Sequence, residues 1–312
     1  MIDFHIPVMC SQVLTHLITK KKGIYLDCTL GGGGHSKEII RKIYPEGLLV
    51  GLDQDIEALE IAREKLKAYQ DKVIIVKSNF ADLKISLQEL GFKQVTGILF
   101  DLGISSHQIN TQSRGFSFLT DNRLDMRMDL SKRLDARYVV NHYSEKALWE
   151  IFSQYGEEHF SRLIARLIVK ERENKPIETT KYLAKLITDL YARYKKNKWR
   201  IHPATRVFQA LRIEVNNELE VLGVALKDAF TLLEPKGRIC TISYHSLEDR
   251  IVKHTFKELA EKEKIIQSGF GLRILSKKPF YPSENEIKNN HKARSAKMRV
   301  AEKIFSEEVY RK

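Results

Sequence analysis

Apolar residues along this chain follow two rhythms. Short, mainly apolar runs occur at 23–26, 47–52, 73–76, 95–102 and 237–243. Runs of this length between turn signals predict buried strands. Between them, apolar residues recur three and four apart. Val8, Val13, Leu14, Leu17 and Ile18 precede the first run, and Ile56, Leu59 and Leu66 follow the second. That spacing predicts helices with one buried face. Further helices are predicted at 36–43, with Ser36 as N-cap and a stop near Pro45, and at 83–90. Strand alternating with helix predicts an α/β fold built on a parallel sheet.

The rhythm changes at Gly103. Residues 103–129, GISSHQINTQSRGFSFLTDNRLDMRMD, show no sustained period and interleave Phe116 and Phe118 with Ser, Asn, Asp and Arg. A patternless stretch of this length is more often functional than filler. Helical patterns follow at 145–155, 157–173, 179–194 and 204–233. A doubly wound sheet does not need them all between its fourth and fifth strands. The chain is therefore predicted to carry an inserted, mainly helical domain at 107–202, with 1–106 and 203–312 forming the sheet domain. The tail, 277–303, reads as two strands joined by a polar loop.

The stretch LDCTLGGGGHS, from Leu26 to Ser36, holds the candidate chemistry. Strand, glycine turn and helix is the arrangement by which open α/β sheets bind a nucleotide-like ligand. A dinucleotide fingerprint would need a third glycine where Ser36 stands, and no Gly-Lys-Ser/Thr follows to make a P-loop. What fits is Asp-x-Thr-x-Gly-x-Gly, as Asp27, Thr29, Gly31 and Gly33. A carboxylate about 4 Å from a pyrophosphate opposes it by roughly 4 kcal/mol at an effective dielectric near 20. The same acid favours a cationic ligand, and S-adenosylmethionine carries a sulfonium and an ammonium without phosphate. A tight turn with no ligand is the alternative.

Two further strands end in acids. Asp53, about 20 residues past the turn, is placed to bind ribose hydroxyls or to cap the next helix. Asp101 closes the fourth strand, so Asp27, Asp53 and Asp101 are expected to converge on one crevice. Phe80, at the end of the third, is placed to pack on adenine or in the core. The fifth strand runs into Tyr244-His245-Ser246.

Composition narrows the partners. The 312 residues are 43% hydrophobic and carry a net charge of +13, which points to a polyanion, nucleic acid or an anionic membrane surface. Arg162, Arg166, Lys170 and Arg172 recur at near-helical spacing, the pattern of a solvated helix face. The run Lys195-Lys196-Asn197-Lys198-Trp199-Arg200 pairs charge with a stacking ring, which suits RNA. Three scattered cysteines fit a reducing compartment. There is no C-x-x-C or H-E-x-x-H metal pattern, no apolar run long enough to span a membrane and no secretory leader pattern, so a cytoplasmic location is expected.

Taken together, these motifs resemble the bacterial 16S ribosomal RNA cytosine-N4 methyltransferases. The matching stretches are HIPVM at His5, DCTLGGGGHS at Asp27, DLGISSHQI at Asp101, RGFSFLTDNRLDMRMD at Arg114 and YGEEHFSRLIARLIV at Tyr155. They continue with HPATRVFQALRIEVNNEL at His202, SYHSLEDRIVK at Ser243 and ARSAKMR at Ala293. The resemblance implies a Rossmann-like class I methyltransferase sheet, a helical insertion for RNA recognition, S-adenosylmethionine as methyl donor, and a cytidine in the decoding region of the small ribosomal subunit. It implies that Gly33, Gly34 and His35 hold the methionine side, Asp53 the ribose, and Phe80 and Asp101 the adenine region, with Gln108 closing the site. Two departures stand out: Tyr244 where phenylalanine is usual, and Asn290-His291-Lys292 in place of an Asn-Pro-Arg run.

The implied chemistry needs acceptors for the cytosine amino hydrogens. Asp101, Tyr244 and His245 are the catalytic candidates, with Tyr244 stacking on the extruded base and His245 accepting or relaying a proton. Rival readings are a non-catalytic ribosome-assembly factor on this scaffold, an NAD-dependent oxidoreductase and a DNA amino-methyltransferase.

Overall fold

The computed structural model describes residues 7–194, 199 and 201–309. His5, Lys195, Lys196, Asn197, Lys198 and Arg200 lie outside the described residues. The chain forms two compact units, one of Met1–Gly103 with Leu219–Lys312 and one of Ile104–Glu218.

The first unit is a seven-stranded sheet: β1 (Ile24–Asp27), β2 (Leu48–Asp53), β3 (Val73–Lys77), β4 (Val95–Asp101), β5 (Leu233–Ser243), β6 (Phe270–Ile274) and β7 (Lys297–Phe305). The order is β3-β2-β1-β4-β5-β7-β6, with β7 antiparallel to both neighbours and the pairs among β1 to β5 parallel. This is an open, Rossmann-like α/β sheet with an antiparallel strand inserted at one side. Alternate side chains feed opposite faces, Leu26, Val50 and Ile98 one apolar layer and Tyr25, Leu49 and Leu99 the other. Burial on both faces explains why these strands read as mainly apolar runs.

The strand register sets the site. Asp27 stands level with Gly51 and Leu99, so Asp53 and Asp101 project two residues beyond it on the flanking strands. The three acids end the adjacent strands β2, β1 and β4, at the carboxyl edge of the sheet.

Several sequence expectations need correction. The helix after the glycine turn begins at Gly34, not Ser36, and its cap residue is Gly33 in the left-handed region. The predicted helix 204–233 is two helices, Thr205–Asn216 and Glu218–Leu232, broken at Asn217, whose φ is +54°. β5 starts at Leu233, upstream of the run read from 237, and residues 234–237 form an irregularity in the pairing with β4. The first tail strand is β6, upstream of residue 277, and a short helix, Glu284–Asn289, occupies the segment before β7.

The helical unit extends beyond the predicted insertion, taking in 104–106 and 203–218. The Thr205–Asn216 helix belongs to it because Val207, Phe208, Leu211 and Val215 pack in its core with Ile164, Ile168, Leu183 and Ile187. The patternless stretch is organised by buried polar groups, hence its lack of apolar period. Arg114, almost fully buried, donates to the carbonyls of Arg127 and Met128. Asn216 accepts from Met128 N and donates to the Met126 and Arg212 carbonyls. Arg127 forks onto Asp125 at 2.7–2.8 Å. Burial raises the Asp125 pKa, but these bonds and the Arg127 charge outweigh it and hold it below the ordinary carboxylate value.

Candidate active site at the carboxyl edge of the sheet

The glycine turn leaves β1 and enters the Gly34–Ile43 helix. Gly31 (φ +49°) and Gly33 (φ +74°) adopt left-handed backbone that side chains rarely tolerate. A Cβ on Gly33 would also stand 3.3 Å from that of Ala62, and one on Gly34 would stand 3.1 Å from Pro7 Cγ. The turn is thus held close to its surroundings on two sides.

Asp27 anchors this turn from below. It is 1% exposed. One oxygen accepts from the Thr29 amide at 3.1 Å, and the other from the Ser36 hydroxyl at 2.7 Å. Burial raises its pKa, against the pull of the Ser36 bond and the His35 charge. Ser36, expected to cap the helix, instead reaches across to this acid. Thr29 extends the linkage, its Oγ1 accepting from the Asp101 backbone N–H at 2.7 Å. Sequence marked Thr29 within the Asp-x-Thr-x-Gly-x-Gly pattern and Ser36 as a cap, but the contacts that either makes were not read from it. The signal for both is the buried acid they share, visible only once β1 is placed mid-sheet.

Asp53 ties the turn to β2. It accepts from Gly31 N at 2.7 Å and Asp55 N at 2.9 Å. The helix cap that sequence offered as its alternative role belongs to Asp55, which accepts from Glu57 N. Desolvation pushes the Asp53 pKa up to about 6, with the Asp55 and Asp27 charges acting in the same direction.

Asp101 is gripped from two sides. Tyr244 donates its hydroxyl to Oδ1 at 2.7 Å, and His35 Nδ1 lies 3.4 Å from Oδ2. The other His35 nitrogen, Nε2, is 2.9 Å from the Val8 carbonyl. A carbonyl and a carboxylate facing the two ring nitrogens both call for N–H, which is the imidazolium. Burial works against that charge, but Asp101, Asp27 and Val8 together outweigh it and raise the His35 pKa. The Tyr244 pKa is raised well above its ordinary value by burial and by Asp101.

The remaining sequence candidates fall in different surroundings. Phe80 is half-buried and meets Phe100 edge-on at 6.0 Å, packed against the sheet core. Gln108 belongs to the helical unit. There its side-chain oxygen accepts from Ser105 N at 3.0 Å in a capping box. His245 caps the Ser246–Leu259 helix: Nδ1 accepts from Glu248 N at 3.4 Å, and Nε2 lies 3.1 Å from Glu248 Oε1. Its Nδ1 lone pair is therefore spent on the cap. Tyr244 is turned by its hydroxyl towards Asp101.

The family model described as the MraW methylase family matches residues 3–304. The chain is 45% identical to "Ribosomal RNA small subunit methyltransferase H" of Clostridioides difficile (strain 630), over 96% of this chain and 99% of that one. It is 48% identical to the protein of the same name from Caldicellulosiruptor bescii, again over 96% and 99%. A third, from Fusobacterium nucleatum subsp. nucleatum, is 44% identical over 97% of this chain and 98% of its own. Matched over nearly its whole length and carrying the acid-anchored glycine turn on a class I sheet, the chain belongs to the MraW methylase family.

Proposed function

We infer that this protein transfers the methyl group of S-adenosylmethionine to the N4 amino group of a cytidine in 16S ribosomal RNA, within the small ribosomal subunit, in the cytoplasm. The observation that carries this reading is the set of three acids at adjacent strand ends around a left-handed glycine turn, in a chain of this family. No helix among the described residues is long and apolar enough to cross a membrane.

The residues fit such a donor. The turn lets backbone approach closely, and the strand ends offer carboxylate acceptors to hydroxyl and ammonium groups. Gly33, Gly34 and His35 are assigned to its methionine side, Asp53 to the ribose, and Phe80 and Asp101 to the adenine region. When bound, the donor supplies an electrophilic methyl. The protein's task is placement, because the cytosine N4 lone pair is delocalised into the ring and attacks weakly unless held in line. Among the three catalytic candidates, Asp101 keeps acceptor capacity. Tyr244 spends its hydroxyl hydrogen on Asp101, and His245 spends its lone pair on the Glu248 amide. The helical unit is assigned to RNA recognition.

The test is incubation with unmodified small subunits and methyl-labelled donor, followed by nucleoside mass analysis. N4-methylcytidine is the expected product. Label in another nucleoside, or binding of subunits without labelling, would overturn the reading, the latter in favour of an assembly factor.

A further inference from the structure

In the helical unit, the helices Glu145–Gln154 and Ser161–Asn174 each send one side into the core and leave the other to solvent. On the outer side of the second helix, Arg162, Arg166 and Lys170 are all exposed. Residues four apart lie on one stripe about 6 Å apart along the axis. That interval is comparable to the separation of neighbouring phosphates in an extended strand. The Arg162 guanidinium lies 5.3 Å from the centre of the Trp149 ring, which the first helix contributes and which remains 36% exposed. Glu145 opposes the stripe at 3.7 Å from Arg166 Nε. Both partners are exposed, so water and salt screen that pair and a phosphate can displace it.

We propose that this face holds an unpaired stretch of the RNA substrate, with a base stacked on Trp149 and adjoining phosphates on Arg166 and Lys170. The inference deepens the RNA-methylating reading and rests on it. Charge alone would serve an acidic protein equally well. The indole beside the first cation favours nucleic acid, since every base has a face to stack and the ring is held in place by Arg162. The stripe therefore goes beyond the solvated helix face that its spacing alone suggested.

The chain has two tryptophans, so Trp199→Phe leaves Trp149 as the sole indole reporter. A single-stranded oligoribonucleotide titrated into that protein should quench its fluorescence. Trp149→Ala should weaken binding by about 5- to 150-fold, and Trp149→Phe should recover part of the loss. Replacing Arg166 and Lys170 together by Gln should lower the slope of log affinity against log salt by about 1.4. Absence of quenching, or affinity and salt slope indifferent to these substitutions, overturns the proposal. The two readings fail separately. Trp149-dependent RNA binding without labelled cytidine sinks the catalytic reading alone. Labelled cytidine with binding indifferent to this face sinks the RNA face alone.

Discussion

Donor binding should titrate with Asp53. Its pKa of about 6 is that of a carboxyl deprived of water, which the amides of Asp55 and Gly31 only partly compensate. A ribose hydroxyl donates its hydrogen and so prefers the ionised acid. The apparent Kd then rises about twofold above its plateau at pH 6 and about elevenfold at pH 5. His35, with its pKa above the ordinary 6.5, stays protonated between pH 5 and 6 and adds no slope there. The stability linkage has the opposite sign. The folded protein holds this proton more tightly than the unfolded chain. Lowering the pH from 6 to 4 therefore stabilises the fold through this group, by about 2 kcal/mol. Weaker binding at pH 5 is thus no by-product of Asp53 unfolding the site.

The assay is calorimetric titration of S-adenosylmethionine into wild type and Asp53→Asn from pH 8 to pH 5. The neutral amide should weaken binding about 10- to 150-fold at pH 8, the worth of a hydrogen bond to a charged group, and flatten the profile below pH 6. A wild-type Kd that stays constant down to pH 5, or a variant that keeps the wild-type slope, would refute the assignment.

Three further substitutions separate the roles of the neighbouring groups. Ser36→Ala strips the buried Asp27 carboxylate of a donor and should cost about 1.5–3 kcal/mol, seen as a lower urea midpoint at unchanged m; an unshifted midpoint contradicts the anchoring role. Tyr244→Phe keeps the ring and removes one bond to Asp101. It should raise the donor Kd about tenfold while kcat at saturating donor holds, and a Kd within twofold of wild type would show that the clamp is idle. His245→Ala should cost about 1 kcal/mol of stability as a lost cap and leave kcat unchanged, whereas a hundredfold fall in kcat with the fold intact would make the ring a proton acceptor after all.

What sequence revealed of the fold follows what the sheet buries. The runs around Leu26, Val50 and Ile98 were legible because both faces of their strands are covered. Local preference misled where a distant partner decides. Ser36 has the chemistry of a cap, but the buried Asp27 competes for its hydroxyl and Gly33 takes the cap position. Asn217 breaks a helix that apolar spacing alone would continue, because a single left-handed residue leaves no trace in hydropathy. At the site, the three acids were readable as strand termini. The grip on Asp101 was not, since Val8, His35 and Tyr244 come from segments far apart in the chain and meet only through the sheet.

The disposition of charge sharpens the case against a phosphorylated coenzyme. Three carboxylates crowd the strand ends, and His35, a cation among them, is placed against Asp101. Asp27 is sealed under the turn, where water screens it poorly. Asp53, ionised at pH 8, accepts from the turn's own Gly31 amide, a donor that a phosphate-binding turn would offer to its ligand. A pyrophosphate about 4 Å from one such carboxylate loses roughly 4 kcal/mol at an effective dielectric near 20, close to a thousandfold in affinity. Nicotinamide dinucleotide at about 1 mM should therefore leave S-adenosylmethionine binding at pH 8 unaltered in a competition titration. Displacement of the methyl donor by submillimolar dinucleotide would mean that the carboxylates do not govern the pocket, and the electrostatic basis for choosing a cationic ligand would fall with it.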